Sequence, residues 1–233
     1  MKLKSISFLA ILFFSTFLYA GVYPQAGIES YLGTNNMRLF TPWVGIRVNL
    51  SPNASFLLKY YNHNLSYNYI NNHEVEIQRK ASLSNFTTGI YAQKKNVYFF
   101  GALSYFRGTD AYRALAFDGG IGTKIIGNLS AEIGTYLIRE SSILWHPNED
   151  MRYIFLYSIK GGLKYKITKW LTIQARFNLY QNVEDVKASS VMAGLQIIPW
   201  GPLFFNIYYI KYSESADYQF SGDFLSMGIN IYY

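Results

Sequence analysis

Three histidines are the side chains best suited to catalysis in this 233-residue chain: His63, His73 and His146. A serine that acts with a histidine on one strand face would lie two residues away. That position after His63 is Leu65, and Ser66 falls on the opposite face. The other two histidines lie beside acidic residues in predicted loops, where no spacing orients an acid–His–acid cleft. The absence of cysteine excludes cysteine nucleophiles, thiolate zinc sites and disulfides. We predict no catalytic, metal or cofactor site, and a hydrolase stays open as the less favoured alternative.

Charged side chains at mid-strand positions are the second group of candidates. We predict that nine of them line a polar lumen: Glu29, Arg47, Lys59, Asp118, Lys124, Glu132, Lys160, Lys164 and Arg176. Six are basic and three are acidic, so a water-filled path along them would prefer anions. Alternatively, the same residues form salt bridges that only stiffen the wall.

Strict alternation of apolar and polar residues indicates the elements that carry these charges. In the segment 170–181 one face holds Leu171, Ile173, Ala175, Phe177 and Leu179, and the other holds Thr172, Gln174, Arg176, Asn178 and Tyr180. An arginine facing hydrocarbon at mid-depth costs about 2–4 kcal/mol. The apolar face is therefore predicted to face lipid and the polar face to face the interior.

Twelve alternating segments follow one another along the chain. They lie at 22–32, 39–50, 55–67, 82–93, 96–107, 111–126, 128–140, 151–167, 170–181, 186–199, 202–212 and 219–233. Short connections rich in Pro, Asn and Gly alternate with looser ones, including 68–81 and 141–150. This pattern predicts an all-β fold, a transmembrane antiparallel up-and-down β-barrel of 12 strands, with 10 or 14 as alternatives.

Matching polar faces across each connection predicts which charges are neighbours. Arg47 is expected opposite Lys59, with Glu29 beside Arg47. Lys124 is expected opposite Glu132, and Glu132 opposite Lys160. Arg176 then lies one diagonal step beyond, with Asp118 on a neighbouring strand.

The last segment carries a family resemblance. Leu225, Met227, Ile229, Ile231 and Tyr233 share one face up to the terminal aromatic residue. This resembles the C-terminal strand of bacterial outer-membrane β-barrel proteins, the porin-like superfamily, without indicating a subfamily. The resemblance implies an outer-membrane location in a Gram-negative-type bacterium, contact with outer-membrane lipids, and recognition of the strand ending at Tyr233 by the barrel-assembly machinery.

The first twenty residues predict export. Lys2 and Lys4 precede an apolar run from Ile6 to Leu18, and Ala20 provides a small residue for cleavage. We predict a signal peptide at 1–20 and one barrel domain at 21–233. Removing the two lysines lowers the formal charge from +7 to +5, which does not indicate nucleic-acid binding.

These features predict an integral barrel that forms a narrow porin-like channel for small polar solutes, with a mild anion preference. A non-conducting structural or surface-interaction barrel is the alternative. A soluble β-sandwich or lipocalin-like barrel would place the apolar face inside, but the chain has more large apolar residues than such an interior can pack.

Overall fold

The computed structural model describes residues 21–70, 73–142, 152–182, 187–214 and 221–232. The predicted signal peptide, His146 and Tyr233 lie outside these residues. Within them the chain forms twelve strands: β1 (Val22–Gly33), β2 (Arg38–Ser51), β3 (Ala54–Ile70), β4 (Glu76–Lys94), β5 (Val97–Gly108), β6 (Arg113–Ile126), β7 (Leu129–Ser141), β8 (Tyr153–Lys166), β9 (Leu171–Asn182), β10 (Lys187–Ile197), β11 (Leu203–Glu214) and β12 (Gly222–Tyr232).

Each strand pairs antiparallel with its neighbours in sequence, and β1 pairs with β12 to close a barrel. Because every strand has two partners, no sheet edge is left for lipid to contact. The predicted fold class, a 12-strand antiparallel up-and-down barrel, is confirmed.

The connections at one end of the barrel are tight. Two residues join β2 to β3, β4 to β5, and β6 to β7. Lys95 and Gly127 adopt positive φ angles of 54° and 52° in two of these turns, as hairpins with two-residue loops require. Short turns are typical of the periplasmic side of such barrels, so we call the end with the tight turns, where β1 begins and β12 ends, the periplasmic end.

The hairpin between β3 and β4 corrects one sequence prediction. Residues 68–81 were expected to form a loop, yet pairing continues to Ile70 opposite Glu76. Polar residues occupy the outward face here, among them Asn68 and Gln78. Alternation disappears because both faces of a strand that leaves the membrane contact water. The hairpin therefore extends beyond the region that the pattern could identify.

The outward face forms the lipid-facing belt. On β8, Tyr153, Ile159, Leu163 and Tyr165 all point outward and are exposed. Tyr153 and Tyr165 are separated by about 40 Å along the strand at ~3.3 Å per residue. A strand tilt of about 40° reduces this to about 30 Å along the barrel axis, close to the thickness of a bilayer core. The described residues contain no helix that is long and apolar enough to span a membrane.

The inward face has two zones, which the sequence analysis did not distinguish. Toward the outer loops, inward side chains such as Leu65, Leu83, Tyr112 and Ile138 are buried against one another inside the lumen. Toward the periplasmic end the inward face carries most of its charged side chains, beside apolar ones such as Leu57 and Phe204. The charged part of the predicted polar inner wall thus lies mainly in the periplasmic half of the barrel.

Candidate functional site: the inner wall of the barrel

Glu132 on β7 is the centre of a charged cluster on the inner wall. Its Oε1 accepts a hydrogen bond from Arg176 Nη2 at 2.6 Å, and its Oε2 accepts one from Lys164 Nζ at 2.9 Å. The Tyr98 hydroxyl donates to Oε2 at 3.0 Å. Since the Glu132 side chain is only 8% exposed, its charge depends on these partners.

Glycines allow these side chains to meet across intervening strands. Tyr98, Gly122, Glu132, Gly162 and Arg176 stand in one row on five consecutive strands. Strands two apart are separated by about 10 Å, too far for contact across a large side chain. A Cβ atom at Gly162 would lie 3.1 Å from Glu132 Cγ, and one at Gly122 would overlap the Tyr98 ring. The row therefore packs because two of its members lack side chains.

A second bridge of this kind joins Lys160 on β8 to Asp118 on β6. The two form an ion pair across β7, where Gly134 lies opposite Lys160. A Cβ atom at Gly134 would be 3.0 Å from Lys160 Cε. The ammonium group also lies 5.1 Å from the Phe100 ring centroid. We call contacts between side chains two strands apart, made over an inward glycine, glycine bridges.

Two glycine bridges between uncharged side chains also occur among the described residues. In the first, Gln174 Nε2 donates to the Tyr208 hydroxyl at 2.6 Å across Gly194.

The other neutral bridge lies at the closure of the barrel. Trp43 Nε1 on β2 donates to Asn230 Oδ1 on β12 at 3.1 Å, and Gly27 on β1 lies between them. Asn230 is 1% exposed, so this bond satisfies a group that water does not reach. The bridge therefore joins β2 to β12 across β1 from inside the barrel.

Lys59 and Glu29 form a further pair of interacting charges. Lys59 Nζ lies 4.2 Å from the Trp43 ring centroid and 5.5 Å from that of Tyr232. Its charge also acts on the Glu29 carboxylate. Two aromatic faces and one carboxylate therefore compensate this cation.

Tyrosine hydroxyls extend this polar level along the inner wall. Tyr98 on β5 donates to Glu132, and the Tyr208 hydroxyl on β11 accepts from Gln174, which lies on the same strand as Arg176. A layer of hydrogen-bonded polar side chains therefore lines the inner wall from β5 to β11 at mid-height.

The periplasmic mouth below this layer is lined by exposed cations. Arg47, Lys124 and Lys166 are on the inward face near the tight turns, and all three are exposed. Lys94 lies at the same end but on the outward face of β4. The mouth therefore carries positive charge on its inner side.

The predicted pairings near the β2–β3 turn are wrong. Arg47 lies opposite Leu57, and Lys59 lies opposite Gly45. Glu29 faces Thr41 rather than Arg47. The turn after Ser51 contains two residues, and an irregularity between Asn49 and Ser51 shifts the register by one more residue. Together they displace β3 by two residues relative to the expected hairpin. The expected repulsion between Arg47 and Lys59 is consequently not present.

The predicted row on β6, β7 and β8 is also displaced by two residues. Lys124 lies opposite Ser130, because the register shifts between Lys124 and Ile126. Glu132 lies opposite Gly162 rather than Lys160. Matching the polar faces of neighbouring strands does not detect this error, because a slip of two residues keeps every side chain on its face.

His63 belongs to an aromatic stack inside the barrel. Its Nδ1 lies 2.9 Å from Thr41 Oγ1, and its ring is stacked on Tyr61 with centroids 5.8 Å apart. The centroid of the Phe106 ring lies 6.1 Å from the centroid of the His63 ring. These neighbours give His63 a packing role in the wall.

An apolar chamber in the outer half of the lumen is the feature that the sequence analysis missed. It has a volume of about 400 Å³, and Leu39, Leu83, Phe106, Ile138 and Leu156 contribute to its lining. We call this cavity the outer chamber. The signal for it was present, because inward positions near the outer strand ends hold Leu and Ile where the alternation predicts polar residues.

Three solved structures show which known proteins share this barrel. No protein family matches the sequence, and no curated protein matches it. The translocator domain of the autotransporter NalP from Neisseria meningitidis is 14% identical, with a TM-score of 0.63, and the match covers 99% of this chain and 98% of that one. An outer-membrane channel from Pseudomonas putida F1 is 6% identical, with a TM-score of 0.70, covering 92% and 96%. The NanC porin is 9% identical, with a TM-score of 0.60, covering 88% and 98%. At these identities the likeness concerns the fold.

Proposed function

We propose that this bacterial outer-membrane β-barrel is a narrow channel for small solutes with a mild preference for anions. The observation that carries the proposal is the excess of cations on the periplasmic half of the inner wall. Seven basic side chains occur there, against the three acidic ones Glu29, Asp118 and Glu132: Arg47, Lys59, Lys124, Lys160, Lys164, Lys166 and Arg176. A low-dielectric wall concentrates such a field within the lumen.

The dimensions favour small solutes. Eight-strand barrels are filled by side chains, whereas barrels of sixteen or more strands leave an aqueous channel. Twelve strands lie between these limits, so we expect the lumen to admit small solutes only. Two of the proteins that share the fold are a channel and a porin.

The paired cations contribute less to selectivity than the exposed ones. Asp118 compensates Lys160, and Glu132 compensates both Lys164 and Arg176 in part. Arg47, Lys124 and Lys166 at the mouth are exposed to solvent. We therefore assign the anion preference mainly to these three.

Planar-bilayer recording of the purified barrel tests the proposal. In a KCl gradient the wild-type reversal potential should indicate a mild anion preference. The variant carrying Lys124→Glu and Lys166→Glu should move it toward cations. Lys94→Glu adds the same kind of charge reversal on the outward face of the same end, and should leave the potential unchanged. A wild-type barrel that shows no conductance steps at any voltage would overturn the channel proposal.

A non-conducting barrel is the second candidate, because buried apolar side chains partly fill the outer half of the lumen. In that case the glycine bridges stabilise the barrel and its outer end contacts a partner. The same recordings separate the two candidates. Neither candidate requires a catalytic group.

A further inference from the structure

The outer chamber differs from the rest of the inner wall in its chemistry. Its lining residues come from eight of the twelve strands, so it lies in the lumen rather than between two strands. Leucine, isoleucine and aromatic side chains dominate its surface. His63, Glu140 and four tyrosines, among them Tyr136, add polar groups to it. A cavity of this volume, with a mainly apolar lining and several polar groups, has the composition of a ligand-binding pocket.

We propose that the outer chamber binds one small, neutral, mainly apolar molecule that carries a hydroxyl group. This proposal goes beyond the channel function, which rests on the cations at the other end of the barrel. It follows from the volume of the chamber and from two of the polar residues in its wall, Tyr136 and Glu140.

The volume sets the size of the ligand. A cavity of about 150 Å³ lined by Leu, Ile and Phe binds benzene. The outer chamber, at about 400 Å³, is large enough for a molecule with two fused rings or an aliphatic chain of similar bulk. The apolar wall favours such a molecule because its surface leaves water on binding.

Tyr136 provides the hydrogen bond. Its side chain lines the chamber, and its hydroxyl has no hydrogen-bond partner among the residues that the structure describes. A phenolic hydroxyl can both donate and accept, and so can a ligand hydroxyl. A ligand without a polar group would leave the Tyr136 hydroxyl unpaired in the filled chamber.

Glu140 excludes anionic ligands. Its carboxylate lies in the chamber wall and accepts a hydrogen bond from Tyr112 at 2.6 Å. Tyr136 lies four residues before Glu140 on the same inward face of β7, and both side chains line the chamber. A carboxylate there would be repelled by a like charge in a water-poor site.

Three related probes separate these contributions: 1-naphthol, naphthalene and 1-naphthoate. Binding is measured by equilibrium dialysis against the barrel in lipid nanodiscs, with empty nanodiscs to subtract partition into lipid. We expect one saturable site per barrel for 1-naphthol. Naphthalene should bind two- to tenfold more weakly, the effect of one hydrogen bond. The anion 1-naphthoate should bind at least tenfold more weakly than 1-naphthol.

Variants then locate the site. Leu156→Trp fills the chamber and should reduce 1-naphthol affinity at least tenfold, whereas Leu163→Trp, on the lipid-facing side of the same strand, should leave it unchanged. Tyr136→Phe should reduce 1-naphthol affinity to that of naphthalene without changing naphthalene binding. If Leu156→Trp does not show the gel shift of a folded barrel on heating, Leu83→Phe replaces it.

The outcomes decide the proposal independently of any conductance. Equal uptake by empty nanodiscs, full binding in the chamber-filling variant, or binding of 1-naphthoate as tight as that of 1-naphthol would each overturn it. A barrel that binds 1-naphthol but shows no current would support the chamber and refute the channel. A barrel that conducts but binds no probe would do the reverse.

Discussion

Replacing Glu132 with glutamine is expected to destabilise the barrel by about 2 kcal/mol. The amide keeps the shape of the carboxyl group but removes the charge that two cations share. Hydrogen bonds to charged groups contribute about 1.5–3 kcal/mol each when the groups are buried. The Arg176 and Lys164 side chains are 33% and 38% exposed, so lumen water replaces part of each interaction. The expected loss in free energy of unfolding is therefore closer to the contribution of one buried hydrogen bond than to that of two.

A double-mutant cycle tests the geometry behind this value. Arg176→Gln and Glu132→Gln are made singly and together, and the free energy of unfolding is measured by urea titration of the barrel in lipid vesicles. The double variant should lose about 1 kcal/mol less than the sum of the single losses. Glu74→Gln, in the exposed turn after β3, is the matched control and should stay within about 0.5 kcal/mol of wild type.

Two results would contradict this prediction. Strictly additive losses would show that Glu132 does not hold Arg176 across β8. A Glu132→Gln variant as stable as wild type would show that the cluster contributes no net stability, as some buried ion pairs do.

Two further predictions concern the glycine bridges and use the same unfolding assay. Gly122→Ala should destabilise the barrel by about 1–2 kcal/mol, because the new methyl group displaces the Tyr98 ring. Gly101→Ala is the control and should be nearly neutral, because the nearest atom to its Cβ would lie 3.9 Å away. Equal effects of the two substitutions would contradict the packing argument. Trp43→Phe should cost about 2 kcal/mol because it leaves the buried Asn230 oxygen without its donor. Trp170→Phe, at an exposed site, is the control, and a Trp43 variant no less stable than this control would argue against the bridge.

The strands and their faces followed directly from the sequence. The segment 170–181, for example, matches β9 at Leu171–Asn182, because a wall between lipid and a polar interior requires strict alternation. Alternation determines only which face a side chain occupies. It carries no information about the height of one strand relative to the next beyond a multiple of two residues.

The pairing of charges depended on information that the pattern does not contain. Glu132 reaches Arg176 because Gly162 lies between them, in pairings of β8 with β7 and β9 that alternation fixes only to a multiple of two residues. The chamber was missed for a different reason. Inward apolar residues such as Leu83 and Ile138 break the alternation, but this break does not show that a cavity forms among them.

The glycine bridges also bear on how the barrel reaches a single register during assembly. A contact between β7 and β9 forms only when β8 is correctly aligned with both. A slip of two residues preserves every lipid-facing side chain, so the membrane does not distinguish the slipped sheet from the native one. Such a slip would place a lysine where Gly162 now lies and would separate Glu132 from Arg176. The interior bridges thus distinguish among alignments that are equivalent on the outside.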